Sequence, residues 1–351
     1  MKFYNIFAFI LLNSFLISCD GSKNNKESFF SFDETGRKAS YSADDALSLK
    51  IQNPQNKNID SVIYYVNGNR VATSKDLKEF NFDLKGQKLG YQNVKAVVYF
   101  DGDIQAQEVV SRVEMVSNIH PKLLTYKIVN TYPHDPTSFT QGLEFYRDTL
   151  LESTGQHGTS YIRKLDYKTG KVHSQTDLEQ KYFGEGITVF NNKVFQLTWQ
   201  SGVGLIYNAD NLKFEKTFNY DRKIEGWGLT NDGTYIYQSD GTEKVWKMDG
   251  ATQKMIDYVN VYSAGSKIKS VNELEYVNGK IYGNIWQRDA IAVIDPASGA
   301  VVQVLDLKEL RSKVTSERAE ALNGIAYNKK TKTFFVTGKL WDKMFEIQIN
   351  E

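Results

Sequence analysis

A single cysteine, Cys19, occurs in the 351 residues, which excludes a disulfide framework within the chain. The four histidines (His120, His134, His157 and His173) are scattered, with none of the spacings of a zinc site. Neither sign of charge is in excess, since 43 Lys and Arg stand against 42 Asp and Glu for a net charge of +1. No local Lys/Arg run makes up the difference, so the electrostatic footprint of a nucleic-acid binder is missing. No Gly-x-Ser-x-Gly elbow, phosphate loop or dinucleotide fingerprint occurs, which removes the commonest hydrolase and nucleotide chemistries. Proline is scarce at five residues, while 21 Tyr and 20 Phe suit the cores of β-sheets.

Residues 1–18 begin with a short positive start at Lys2. The apolar core that opens on Phe7-Ala8-Phe9-Ile10-Leu11-Leu12 is too short to span a bilayer. The segment runs into Leu16-Ile17-Ser18-Cys19, which resembles a bacterial lipobox. That resemblance implies cleavage before Cys19 and attachment of a diacylglycerol to its thiol; an uncleaved anchor with an incidental cysteine is the alternative. The expectation is therefore an exported protein, lipid-anchored at Cys19 to a bacterial cell membrane on its periplasmic or surface face. Residues 19–41, opening on Asp20-Gly21-Ser22-Lys23-Asn24-Asn25, read as a polar tether.

Residues 42–118 change character. Leu47-Ser48-Leu49-Lys50-Ile51 and Phe80-Asn81-Phe82-Asp83-Leu84 alternate apolar and polar, as half-buried strands do. Val62 to Val66, Val94 to Phe100 and Val109 to Val116 add short strands, and Asn67-Gly68 is a hairpin-type turn. This spacing predicts a small immunoglobulin-like β-sandwich. Nothing in it clusters chemically, so it reads as a spacer or docking module.

Residues 119–351 are organised around Phe139-Thr140-Gln141-Gly142-Leu143, which echoes four times downstream. The echoes are Phe183-Gly184-Glu185-Gly186-Ile187, Glu225-Gly226-Trp227-Gly228-Leu229, Val271-Asn272-Glu273-Leu274-Glu275 and Ala321-Leu322-Asn323-Gly324-Ile325. Each opens an apolar run, a turn, a second β-rich run and a loop such as Leu197-Thr198-Trp199 or Val336-Thr337-Gly338. Five units at a period of roughly 40–50 residues predict an all-β, five-bladed β-propeller. The fifth unit is one strand short, and Leu124 to Asn130 is an orphan strand ahead of the first. Pairing that strand with Phe345 to Ile349 closes the ring and removes two open edges. Lys308 to Arg318 reads as a short helix.

In a propeller blade the start of strand one and the loop after strand two emerge on the same face. The motifs therefore place Gln141, Glu185, Trp227, Glu273 and Asn323 at equivalent positions around one mouth. The loops add Trp199, Trp286 and Lys339. An aromatic pocket with a few convergent polar groups is the usual form of a small-ligand site. Trp246 and Trp341 read as core, Glu273 and Glu275 as structural, and Ser239-Asp240-Gly241-Thr242 as a tight turn. His134-Asp135, just ahead of the first motif, reads as a loop hydrogen bond.

The motif stretches, together with Ser239-Asp240-Gly241-Thr242 and Thr337-Gly338-Lys339-Leu340-Trp341, resemble the plant-type glutaminyl-peptide cyclotransferases, a family with plant and bacterial members. The resemblance covers the expected propeller in order and leaves out the front sandwich. It implies an enzyme that turns the N-terminal glutamine of peptides and proteins into pyroglutamate and releases ammonia, zinc-independent and with no required cofactor. A structural calcium in the channel is left open by the motifs. In such an enzyme Glu185 matches the position of the proton shuttle. Asn272 and Gln141 would orient the amide and α-amine, and Lys339 would stabilise the developing oxyanion. Phe139, Trp199, Trp227 and Trp286 would wall the pocket. The alternatives are a non-catalytic, lipid-anchored propeller that binds peptide or sugar, and a calcium-dependent lactonase-like propeller, for which the motifs offer no ligand cluster.

Overall fold

A computed structural model describes residues 28–102 and 105–350. The expected signal peptide, Cys19 and the first part of the tether lie outside the described residues. Those described form an all-β fold in two packed units, with one short helix, Lys308–Ser312.

The first unit is a four-stranded antiparallel sheet ordered Asn69–Ser74, Ile59–Val66, Gly90–Phe100, Gln105–Met115. Asn67 and Gly68 both adopt positive φ, at 51° and 82°, which is the twist a two-residue hairpin needs. Val94, Ala96, Val98 and Phe100 alternate inward along the central strand. They pack against two short ribbons, Ala46–Leu49 with Phe80–Asp83 and Ser31–Phe32 with Ile51–Gln52. Residues 28–41 differ from the polar tether expected of them. Phe30, Phe32 and Tyr41 are buried in this core, because three aromatic side chains outweigh the polar residues around them.

The second unit consists of three four-stranded antiparallel sheets, one of eight strands and a two-stranded ribbon, Tyr262–Ser263 with Ser266–Lys267. The first three sheets open on Thr140–Tyr146, Gly184–Phe190 and Leu229–Asn231. The eight-stranded sheet has two such opening strands at its ends, Val271–Val277 and Leu322–Asn328. The five opening strands adjoin one another in a closed circuit. Apolar clusters fill the space between successive sheets. Leu151 and Ile162 meet Ile187 and Val194, for example, and Leu143 and Leu150 meet Ala326 and Phe335 at the join of last to first.

That join is made by Lys122–Pro133. It runs antiparallel to Lys343–Asn350, with Asn130 opposite Glu346 and Tyr126 opposite Ile349, the pairing the orphan strand called for. The strand does more than the sequence suggests. Its first residues also pair in parallel with Val301–Asp306, which joins the fourth and fifth groups into one sheet. The helix is shorter than its composition predicts. Leu307 gives no side-chain cap, and the Asp342 carboxylate draws off the backbone N–H groups of Thr315 and Ser316 beyond it.

The units meet along the 255–267 segment. Asn260 Nδ2 donates to Leu89 O at 2.5 Å, and Tyr262 Oη donates to Glu114 Oε1 at 2.5 Å. Gly265 N donates to Ser117 O at 2.8 Å, and Leu89, Val116, Tyr262 and Ala300 form a small apolar seam.

Candidate active site

The repeated motif becomes intelligible in the register of the opening strands. Four of the five slip against their neighbours at the motif, between Thr140/Gly142, Gly184/Ile187, Val271/Leu274 and Leu322/Ile325. Each slip is a bulge, and a bulge re-aims side chains at the end of a sheet. At three of the four slips glycine stands beside the bulge, where the opening strands crowd together. A Cβ on Gly142 would stand 2.7 Å from Ile187 N, and one on Gly186 would stand 2.6 Å from Trp227 O.

One cavity of about 270 Å³ opens where these bulges converge. Phe139, Gln141, Glu185, Asn272, Trp199, Trp227, Trp286 and Lys339 all line it. Gln156, Phe183 and Glu320 complete the wall. Larger hollows exist elsewhere, including one of about 390 Å³ at the far end of the circuit beside Glu144 and Glu275, but neither it nor the others gathers tryptophans about an acid.

At the floor, Glu185 is 5% exposed and Asn272 3%. Gln141 Nε2 donates to Glu185 Oε1 at 3.0 Å, and Asn323 Nδ2 donates to Gln141 Oε1 at 2.9 Å, so the orientation of the Gln141 amide is set from behind. Burial raises the Glu185 carboxyl well above the ordinary carboxylate range. The Lys339 charge opposes this and the Glu225 charge adds to it. Burial lowers the Lys339 ammonium in turn, against the attraction of Glu185 and Glu320. Its Nζ sits 4.6 Å from the centre of the Phe139 ring. Asn272 Oδ1 is buried and accepts no hydrogen bond from any described residue. It is an acceptor free for a ligand's N–H.

The walls are aromatic. Phe139 meets Phe183 edge-on at 6.1 Å, Phe183 leans on Trp199 at 5.5 Å, and Trp227 meets Trp286 edge-on at 6.0 Å. Trp286 is 42% exposed and stands at the rim. Trp246 and Trp341 are buried away from the cavity, their indole N–H groups donating to Asp240 Oδ2 and Glu320 O.

Glu273 departs from its expected place at the mouth. The bulge turns Asn272 to the cavity and Glu273 into the channel. There its two oxygens accept from Leu143 N at 3.1 Å and Ile325 N at 2.8 Å, tying three opening strands together. Glu275 does the same for Tyr327 N at 2.9 Å. His134 lies behind the pocket in a buried network, between Trp341 O and Glu152 Oε1. Three residues beyond the sequence reading touch the cavity. Phe183 was legible as the repeat partner of Phe139. Gln156, held at φ 96°, and Glu320, on the loop after the helix, gave no signal in the text. Among the described residues no group of three or more His, Cys, Asp or Glu side chains converges as metal ligands would.

Fold and site together define a propeller-like protein whose single-residue-sized pocket pairs a buried acid with amides, a lysine and indoles. Residues 103–349 match the family described as glutamine cyclotransferase, and the chain belongs to that family. Over 229 residues it is 40% identical to a glutaminyl-peptide cyclotransferase of Arabidopsis thaliana, covering 64% of this chain and 71% of that one. The crystal structure of Myxococcus xanthus glutaminyl cyclase superposes with a TM-score of 0.61 at 32% identity. That match covers 66% of this chain and 99% of the other.

Proposed function

We propose that this protein is a glutaminyl-peptide cyclotransferase acting on peptides or proteins that begin with glutamine. The observation that carries the reading is the buried Glu185, hydrogen-bonded to Gln141 in a cavity shared with Asn272 and Lys339. The substrate already holds nucleophile and electrophile in one residue, so the pocket's task is to fold the side chain back and move protons. The neutral α-amine attacks the γ-carboxamide carbon and a C–N bond forms. Glu185 takes the proton the amine sheds and returns it to the departing nitrogen as the old C–N bond breaks and ammonia leaves. The raised proton affinity of Glu185 suits a group that must both accept and donate. Lys339 faces the oxygen that gains charge in the tetrahedral intermediate. Asn272 Oδ1 and the Gln141 amide orient the two nitrogens, and the indoles keep out the water that would hydrolyse the amide instead.

The ring is read here as a five-bladed propeller, supported by the circuit of five opening strands and by the shared closing strand Lys122–Pro133. The unit before it is read as an immunoglobulin-like sandwich from its sheet and covering ribbons. The chain joins that sandwich at Phe29 and Phe30, beside Phe100 and far from the Leu89 and Glu114 contacts with the propeller. The strand Gly90–Phe100 separates the two ends by its 11 residues, about 35 Å. With the anchor at Cys19, the sandwich holds the catalytic unit off the membrane of the exporting cell. Cell fractionation tests this: the native chain should sediment with membranes and a Cys19→Ser variant should not, and a membrane-bound Cys19→Ser protein would remove the anchor. The enzymatic reading is tested by following ammonia from a Gln-initiated dipeptide. Saturable binding of the dipeptide without ammonia would leave a binding module instead.

A further inference from the structure

The aromatic wall is interrupted between Trp199 and Trp227. Phe139, Phe183 and Trp199 touch in series and Trp227 touches Trp286, but among the described residues no ring contact joins Trp199 to Trp227. Glu225 stands in that gap. Its Oε2 accepts from Trp199 Nε1 and from Trp227 Nε1, both at 2.9 Å. Its Oε1 accepts from Gln200 Nε2 at 2.8 Å. Glu225 occupies the repeat position that Phe139 and Phe183 hold in the first two units.

We propose that Glu225 is a positioning residue that fixes the two indoles as one wall of the substrate pocket and sets a negative charge beside the proton shuttle; this rests on the assignment of that pocket to glutamine cyclisation. The main chain at both tryptophans is already pinned. Trp199 N donates to Phe183 O and Trp227 N to Ser239 O. Those bonds leave each ring free to turn about its side-chain torsions. An indole N–H half out of water needs an acceptor, and a carboxylate provides a stronger one than a neutral oxygen. By taking both N–H groups on one oxygen, Glu225 sets the orientation of two rings that come from different sheets.

The second effect is electrostatic. Burial raises the affinity of the Glu225 carboxyl for its proton, but the bonds from Trp227, Gln200 and Trp199 outweigh it and keep the group ionised. Its charge adds to burial in raising the proton affinity of Glu185, against the lowering by the Lys339 charge. The same side chain thus serves the shape of the pocket and the protonation of its acid.

Two variants of the full chain separate these effects. Glu225→Gln keeps an oxygen able to accept from both indoles but removes the charge. Its KM for a Gln-initiated dipeptide is expected within about twofold of wild type, while the low-pH limb of kcat moves to lower pH as Glu185 loses its like-charged neighbour. Glu225→Ala frees the rings, and KM is expected to rise about tenfold or more with indole fluorescence altered. Thermal unfolding of both checks that the fold is intact. A wild-type KM in Glu225→Ala, or an unmoved low-pH limb in Glu225→Gln, overturns the proposal. If Trp199→Ala and Glu185→Gln also turned over like wild type, the pocket assignment itself would be at fault. If they are impaired and the Glu225 variants are not, only the role of Glu225 falls.

Discussion

Gln141 Nε2 donates to Glu185 Oε1 at 3.0 Å, and among the hydrogen bonds of the described residues this is the one side-chain bond the Glu185 carboxylate accepts. Asn323 holds the far end of the same amide. A relay of two amides therefore aims the acid, and residues far apart in the chain act on one carboxyl group.

Removing the middle of that relay should tell. Gln141→Leu keeps roughly the volume but takes away the donor. A hydrogen bond to a charged group is worth about 1.5–3 kcal/mol, so kcat/KM should fall about 10- to 100-fold with little change in thermal stability. Steady-state kinetics beside a melting curve make the check, and unchanged kinetics would detach Gln141 from the acid.

Lys339 offers a test with a pH signature. Burial pulls its ammonium below the ordinary lysine value of 10.5, so the charge should be lost at a lower pH than an exposed lysine loses it. Activity should rise as Glu185 and the substrate amine shed protons, then fall on the alkaline side as Lys339 does. Lys339→Met should cut kcat by about 10²–10³-fold, the usual worth of one oxyanion donor. A Lys339→Met enzyme with wild-type kcat would exclude it from the reaction.

The network behind the pocket makes a prediction about stability. Glu152 is fully buried and accepts from His134, Thr140 and Arg163. Burial works against its ionisation, yet the His134 and Arg163 charges hold its pKa at about 2. A carboxyl depressed in the folded state stabilises fully above its ordinary value of 4.5, and that stability fades as pH falls toward about 2. His134 is raised above 6.5 by Glu152 against its burial, so its share is full below 6.5 and fades as pH climbs through the raised value. Glu152→Gln takes the carboxylate from buried His134 and leaves Arg163 only Asp135, at 3.2 Å, as its ion-pair partner, and should cost about 3–5 kcal/mol by denaturant titration near neutral pH. A loss under about 1 kcal/mol would show that the site relaxes around the change.

Much of this was legible in the sequence for a physical reason. Four of the five repeats place glycine and a turned-out side chain where the opening strands crowd, so Gln141, Glu185, Trp227 and Asn323 recur in recognisable text. The orphan strand was legible because an unfinished sheet leaves edges that something must cover. Glu225 was not, because an acid two residues before a tryptophan looks solvated until the indole N–H groups are seen to share it. Asn272 lines the pocket and Glu273 holds channel amides, as their types suggested, but the place of Glu273 among the mouth residues was misjudged because the bulge at Val271/Leu274 turns it inward. The burial of Phe30 and Phe32 was hidden in a stretch read as polar, since their partners lie on strands 20 to 80 residues onward.

The central claim is that Glu185 carries the proton between the two nitrogens. The most direct measurement is ammonia release from a Gln-initiated dipeptide by wild type and Glu185→Gln, with dipeptide binding by calorimetry on the same samples. Turnover is expected to fall by at least about 10²-fold in Glu185→Gln, with the dipeptide still bound. Turnover at the wild-type rate by a folded Glu185→Gln protein would contradict the claim.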